Sequence, residues 1–368
     1  MSWMGSSSSD AAASGETRRP PRYPRDAIAD FARALLERAS MPSDKALAVA
    51  EILVEGELSG RSTHGLALLA PYLREIETGG MRVDGDPETV ADFGACLGWD
   101  GRKLPGPWLV LRAMDQAMAR ASRFGMGAVT IRRSHHTASL GAYLSRATDR
   151  GYLMLLTLTD PGFSSVAPHG GIAPVLTSNP IAFGAPTKGA PILVDISTSM
   201  VTNGLVAKHR REGRPFEQPW LLDNQGRPST DPEAIFTEPP GSVLPLGGLD
   251  AGHKGYGIGM MVELLTGCLS GHGRAEPGDG WSAAVFLLVV DPAAFGSDEA
   301  YLRQVTALAT ACRASPPRPG FDRVRLPGEA SAERRAAQLR DGMAIDPAIL
   351  VALRPWAEKF AVPWPGAR

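Results

Sequence analysis

The sequence predicts an α+β protein whose helical part is built from both ends of the chain. Three helix-period segments follow one another near the N-terminus, extended apolar runs alternate with helices through the middle, and two more helical segments close the chain. A length of 368 residues leaves room for two domains, and a hydrophobic content of 43% supplies a sizeable core. The expected division is a disordered leader over 1–24, a helical domain from 25–90 and 330–368, and an α/β domain over 91–329.

The leader is rich in Ser, Ala and Pro and has no apolar stretch of signal-peptide length. From Asp26 to Arg38, Ile28, Phe31, Leu35 and Leu36 keep a helical period; Pro42-Ser43-Asp44 then breaks the chain and caps a second helix through Val54. After the polar break ELSGR, STHGLALLAPYL starts a third helix, with Leu66, Leu69, Tyr72 and Leu73 on its packing face and His64 at its start. Gly79-Gly80 ends it, and ADFGACLGWDG reads as a strand with turns.

A helix after Pro107 places Leu109, Leu111, Met114 and Met118 on one side and leads into the β-rich GMGAVTIRRSHH. Ala138 to Arg150 is helical, GYLMLLTLTD is a buried strand, and IAPVLTSNPIAFGAP and APILVDIST are two further extended runs. Met200 to Arg211 permits a helix, and the Pro-, Gly- and Asp-rich stretch from Arg214 to Leu249 reads as a long ordered loop. Residues 253–271 form the strongest apolar helix of the second half, and AAVFLLVVD is the clearest buried strand. Ser297 to Ala314 is helical, DRVRLPGE is strand and turn, Ala330 to Asp341 is a charged amphipathic helix, and Asp-Pro opens a last helix through Phe360.

Composition excludes several classes of function. Lys plus Arg is 38 against 39 for Asp plus Glu, so no nucleic-acid partner is announced. Cys96, Cys268 and Cys312 form no CxxC pair and read as reduced, buried thiols of a cytosolic protein, without disulfides or a cysteine metal site. The longest apolar stretches run about a dozen residues, short of the roughly 20 that span a bilayer. There is no GxGxxG turn, Walker loop, HExxH or GxSxG; GYGIG at 255–259 lies inside a helical run, where close helix packing explains its glycines.

Polar residues at the ends of predicted elements are the candidates for chemistry: His64, the pair His135 and His136, and His253 beside Lys254. Each histidine reads either as a proton-transfer group or as a backbone-bonded structural residue. Neighbours on a strand point apart, so His135 and His136 do not share a metal, and no metal site is expected. Asp195 ends the apolar run PILV, where a carboxylate either orients a histidine and accepts from a ribose, or caps a helix starting near Ser197. Glu329 in the turn LPGE reads as a helix cap or a ribose acceptor.

THGLALLAPYL, RSHHTASLGAYL, PHGGIAPVLTSNPIAFGAP, VDISTSMVTNG, PWLLDNQGRPSTDP, LPLGG, HKGYGIGMMVELLTGCLSG and LPGE occur in the order and spacing of the malate/L-lactate dehydrogenase family. This family of sulfolactate dehydrogenase-like oxidoreductases includes ureidoglycolate dehydrogenase, diketogulonate reductase and piperideine- and pyrroline-carboxylate reductases. The resemblance covers about residues 25 to 355. It implies a non-Rossmann NAD(P)-binding α/β domain that also holds the substrate, a cytoplasmic homodimer, and NADPH or NADH held between the two domains. The implied reaction interconverts a 2-oxo acid, or a cyclic imino acid, with its 2-hydroxy or amino acid by hydride transfer.

By the same resemblance, His64 and His136 are proton donors or acceptors and Asp195 their orienting partner, with Thr63, Leu68, Arg133 and His169 facing the substrate. Thr159, Asp195, Ile196, Ser197, Leu244, Pro245, His253, Lys254, Pro327, Gly328 and Glu329 fall on cofactor-contacting segments. An imidazole, with its near-neutral pKa, suits the proton step that accompanies hydride transfer. The chain departs from the family where SHGxxR becomes THGLAL and NSNHFG becomes RSHHTA: Leu68 stands at the arginine position and Arg133 at that of an asparagine. Leucine cannot form arginine's bidentate clamp on a carboxylate, so either Arg133 supplies the charge or the substrate is bulkier or less acidic than the family's small acids. The alternative reading is a family member that has lost catalysis and serves as a binding or regulatory protein.

Overall fold

The chain begins its regular structure earlier than its composition predicts. A computed structural model describes residues 21–367, so residues 1–20 of the expected leader lie outside it. Within the described part of that leader, β1 (Arg22–Tyr23) pairs antiparallel with β12 (Met343–Ala344), joining the two ends of the chain. The apolar spacing read from the sequence then builds α1 (Arg25–Arg38), which buries Ile28, Phe31, Leu35 and Leu36, and α2 (Ser43–Leu58). His64 is not in the third helix: it ends a 3₁₀ turn, Ser62–His64, followed by a second such turn before α3 (Leu69–Glu77) begins.

ADFGACLGWDG is two strands, β2 (Glu88–Phe93) and β3 (Cys96–Asp100), paired as a hairpin across its Gly-Ala turn. Next come α4 (Gly106–Phe124), β4 (Met126–Ser134), α5 (Gly141–Thr148), β5 (Leu153–Thr159), β6 (Ile181–Ala185), β7 (Ile192–Ile196) and α6 (Asn203–Arg211). The stretch from Arg214 to Leu249 is more than a loop. It carries β8 (Leu221–Leu222), β9 (Pro228–Ser229) and β10 (Ser242–Val243) as a small sheet over a second apolar cluster that includes Val206, Phe216 and Leu221. Pairs this short have no period-2 signature, which is why the sequence concealed them.

The chain closes with α7 (Gly248–Glu263), β11 (Ala283–Val290), α8 (Asp298–Ala314), α9 (Glu329–Asp341) and α10 (Pro347–Phe360). A five-residue π-helical segment, Leu264–Cys268, continues α7. In GYGIG, Gly255 packs directly on the backbone of Leu246 whereas Gly257 faces open space, so only part of the motif is explained by packing. DRVRLPGE contains turns and no strand. The three cysteines are exposed on the single chain, against the buried placement expected of them.

The main sheet has seven strands in the order β2-β3-β4-β11-β5-β6-β7, and β3–β4 is its one parallel pair among the described residues. Its centre, β11, is apolar and buried on both faces between β4 and β5. Helices from both termini meet: α10 packs on α1 and α3, and α9 on α2. One continuous apolar core runs from these helices through α4 and α5 into the sheet.

Candidate active site

The 3₁₀ turn bearing His64 is organised by a carboxylate from the preceding helix. Glu57 occupies a core position of α2 and is 2% exposed; it accepts from the Ser62 hydroxyl at 2.7 Å and from the Leu66 backbone N–H at 3.2 Å. These two bonds bracket His64 in sequence, and burial raises the Glu57 pKa above the usual carboxylate value. The Thr63 hydroxyl lies 3.1 Å from His64 Nδ1. Burial lowers the His64 pKa; the nearby Asp195 charge opposes that shift and Arg61 adds to it.

His136 follows the end of β4, and its imidazole stacks on that of His64 with ring centres 6.0 Å apart and planes 22° apart. Its Nδ1 accepts the Ala138 backbone N–H at 3.1 Å and lies 2.8 Å from the Tyr72 hydroxyl. A nitrogen that accepts a backbone N–H carries no proton, so the neutral ring presents N–H at Nε2. Burial lowers its pKa well below the ordinary value, and His64 and His135 lower it further, which keeps the ring neutral. The first turn of α4 presses on the same backbone: a Cβ on Gly106 would overlap the carbonyls of His135 and His136.

His135 and His136 lie past the end of β4, so strand alternation does not separate them, and both rings meet Tyr72 and Trp281. His135 is fully buried, its Nε2 is 3.4 Å from Glu75, its Nδ1 has no partner, and burial, with Lys103, lowers its pKa to about 3. Trp281 packs on both rings, with centres 5.2 Å from His135 and 5.1 Å from His136. No group of three metal-ligating side chains occurs among the described residues.

Asp195 sits near the end of β7. Its Oδ2 accepts the Gly141 N–H at 3.1 Å and the Ser139 hydroxyl at 3.4 Å, and lies 3.8 Å from Arg61 Nε. It thus caps α5, not a helix from Ser197. A side chain at Gly141 would fill this space, with its Cβ 2.8 Å from Asp195 Oδ2. Asp195 also lines a cavity of about 860 Å³ between β7, α5, the end of α2 and the first turns of α9. Gly328 and Glu329 line it too, with Arg61, Arg313, Arg323 and Arg335 around it. Pro327 is adjacent, its carbonyl accepting from Leu193 at 3.0 Å. The four guanidiniums are paired within the protein, Arg61 with Asp195, Arg313 with Glu329, Arg323 with Glu333 and Arg335 with Glu55; these pairs fit a dinucleotide where its phosphates share the guanidiniums and its ribose hydroxyls meet the carboxylates.

The other expected residues are dispersed. Ile196 is exposed, the Ser197 hydroxyl bonds Ser199, and the Ser199–Pro245 bridge ties the Leu244-Pro245 segment to that turn. His253 meets His169 on the surface, ring centres 5.7 Å apart, with Lys254 exposed beside them. Thr159 is buried and bonds Asn179 at 2.8 Å and Glu263 at 2.9 Å. Leu68 is half-buried against the main core, one helical turn before Tyr72. Arg133 grips the buried Asp100 through Nε at 3.0 Å and through Nη2; Arg132 joins them, and these partners overcome burial to lower the Asp100 pKa. The Arg133 fork is therefore engaged within the protein and is not the open carboxylate clamp expected of it.

Sequence reasoning passed over Tyr72, Glu57 and Trp281. The helical period assigns Tyr72 to packing alone, although its hydroxyl needs a partner when buried. Glu57 carries a readable signal, an acid at a position where the helical period calls for an apolar side chain. Trp281 has none, since it stands in a Gly- and Pro-rich loop and reaches the site only through the fold.

A profile of the malate/L-lactate dehydrogenase family matches residues 23–354. Over 344 residues the chain is 34% identical to the L-lactate dehydrogenase of Cupriavidus necator, covering 92% of this chain and 97% of that one. It is 34% identical to the NADP-dependent (2R)-3-sulfolactate dehydrogenase of Chromohalobacter salexigens over 81% of this chain and 87% of that one. The crystal structure of malate dehydrogenase from Entamoeba histolytica superposes with a TM-score of 0.89 at 25% identity, covering 95% of this chain and all of that one. Motif order, fold and full-length similarity agree, and the chain belongs to the malate/L-lactate dehydrogenase family of NAD(P)-dependent oxidoreductases.

Proposed function

We propose that this protein reduces a 2-oxo acid or a cyclic imino acid, and oxidises the corresponding 2-hydroxy or amino acid, with His64 as proton carrier and His136 as hydrogen-bond donor to the reacting oxygen or nitrogen. The observation that carries this reading is the Ala138 N–H on His136 Nδ1, which leaves a neutral ring with N–H at Nε2 stacked on a second imidazole. A neutral imidazole of this kind polarises a carbonyl without giving up its proton. His64 has Asp195 near it to support the cation formed when it takes a proton, so the two rings divide the work.

The cofactor, NADPH or NADH, supplies or takes the hydride. Asp195, Gly328 and Glu329 would hold it in the arginine-rimmed cavity, with Pro327 beside them and without a Rossmann turn. Ile196 and Ser197 follow Asp195 in the chain, and Leu244 and Pro245 are tied to that turn through Ser199; we assign Thr63 and Leu68 to the substrate side. We assign the helices of both termini to one functional domain and 91–329 to the other. The working form is a cytoplasmic homodimer, a reading supported by the exposed Met261, Leu264 and Leu269 along and beyond α7.

The test is oxidation of NADPH and NADH, followed spectrophotometrically against a panel of 2-oxo acids and cyclic imino acids. His64→Asn should lower kcat by about 10²–10⁴-fold, the usual worth of a positioned proton-transfer group, and His136→Ala by about 10²–10³-fold, that of a preorganised hydrogen-bond donor. Full turnover in His64→Asn would sink the assignment of the proton carrier.

A further inference from the structure

The Tyr72, His135 and His136 cluster has a buried side and an accessible one. Tyr72 and His135 are fully buried, whereas His136, His64 and Trp281 are only partly so. Of the partly exposed rings, the indole is the one that touches His135, His136 and Tyr72 together, with its centre 5.9 Å from that of Tyr72.

Its placement is built into the loop that carries it. At one end His272 Nε2 bonds Ser282 Oγ at 2.9 Å, directly beside Trp281. Arg274 joins the buried Glu263 at 2.7 Å and donates to the Phe163 carbonyl at 3.2 Å. Lys103 Nζ donates to the Asp279 carbonyl at 2.6 Å, two residues before the indole. A loop rich in Gly and Pro is thus tied at three points, which fixes the ring against the imidazoles.

We propose that Trp281 is a specificity-determining residue: its indole walls the accessible side of His136 and limits the width of the substituent that a 2-oxo acid can place there. This rests on the functional reading above, in which His136 faces the reacting oxygen. An indole is the largest side chain available for such a wall, and shortening it opens room for a wider substituent in the same direction.

The experiment measures kcat/KM of wild type, Trp281→Phe and Trp281→Ala for a series of 2-oxo acids graded in width from pyruvate to phenylpyruvate. The ratio of wide to narrow substrates should rise at least about tenfold in Trp281→Ala, with Trp281→Phe between it and wild type. Removing the indole also admits water to His136, so the acid limb of the pH–rate profile should move upward, toward the ordinary imidazole value. Ratios unchanged within about twofold in both variants would overturn the proposal. If Trp281→Ala does not fold, Trp281→Phe and Trp281→Leu answer by the same ratios. His136→Ala separates the two readings: turnover retained there, or no turnover of any acid by wild type, counts against the functional reading, whereas lost turnover with unchanged Trp281 ratios counts against the indole alone.

Discussion

At the scale of single residues, the site keeps two of its three imidazoles, His135 and His136, neutral through burial. His135 shows this most clearly, because burial holds its pKa at about 3 and no cation is tolerated there. An imidazole whose folded pKa lies below its unfolded value of about 6.5 contributes stability that is complete above pH 6.5 and is lost as pH falls toward the folded value. The loss is about 1.4 kcal/mol per pH unit, or about 2 kcal/mol between pH 6.5 and 5. Denaturant unfolding of His135→Gln at pH 7 and pH 5 should accordingly show a shallower fall than wild type. An equal fall in both proteins would mean that other groups carry the acid sensitivity. The positions of His64 and His136 were legible from sequence because histidine beside Thr-Gly or Ser at an element end is conspicuous. The partners that fix the His136 tautomer, Tyr72 and the Ala138 N–H, were not, since one looks like packing and the other has no side-chain signature.

At the scale of elements, α2 does two jobs: its apolar face joins the core, and its buried Glu57 fastens the 3₁₀ turn that follows. Glu57→Ala removes the acceptor for two donors, and leaving such groups unmatched costs about 1–3 kcal/mol. The expected outcome is a lower midpoint in denaturant together with a reduced kcat. Glu57→Gln, which keeps a carbonyl acceptor, should fall between Ala and wild type in both measurements. Helix periods and the two-faced burial of β11 made most elements readable, because each repeats one physical constraint along several residues. The turn at 62–68 and the strands β8, β9 and β10 escaped for the converse reason: they are two or three residues long and are held by partners remote in sequence.

For the whole molecule, the expected α+β class stands as a mixed fold with a seven-stranded sheet, and the meeting of the terminal helices was foreseeable from their order along the chain. The continuity of the core was not, because a sequence shows which faces are apolar without showing which of them share an interior. The apolar side chains left on the outside bear on assembly. Leu264 and Leu269 are each more than half exposed and, with the exposed Met261, follow one another along a single helical stretch. If the proposed homodimer forms through this face, Leu264→Glu lowers the mass in light scattering from that of two chains to that of one; a one-chain mass for wild type would sink the dimer, and an unchanged two-chain mass in the variant would exclude this face from its contact.

The cavity rimmed by arginines joins Glu55, Ser59 and Arg61 near the start of the chain to residues 328–339 near its end. During synthesis its first wall leaves the ribosome some 270 residues before its second. Over that interval a nascent chain lacks one wall of the cradle, and a nucleotide bound there as proposed would stabilise only a chain that has made both.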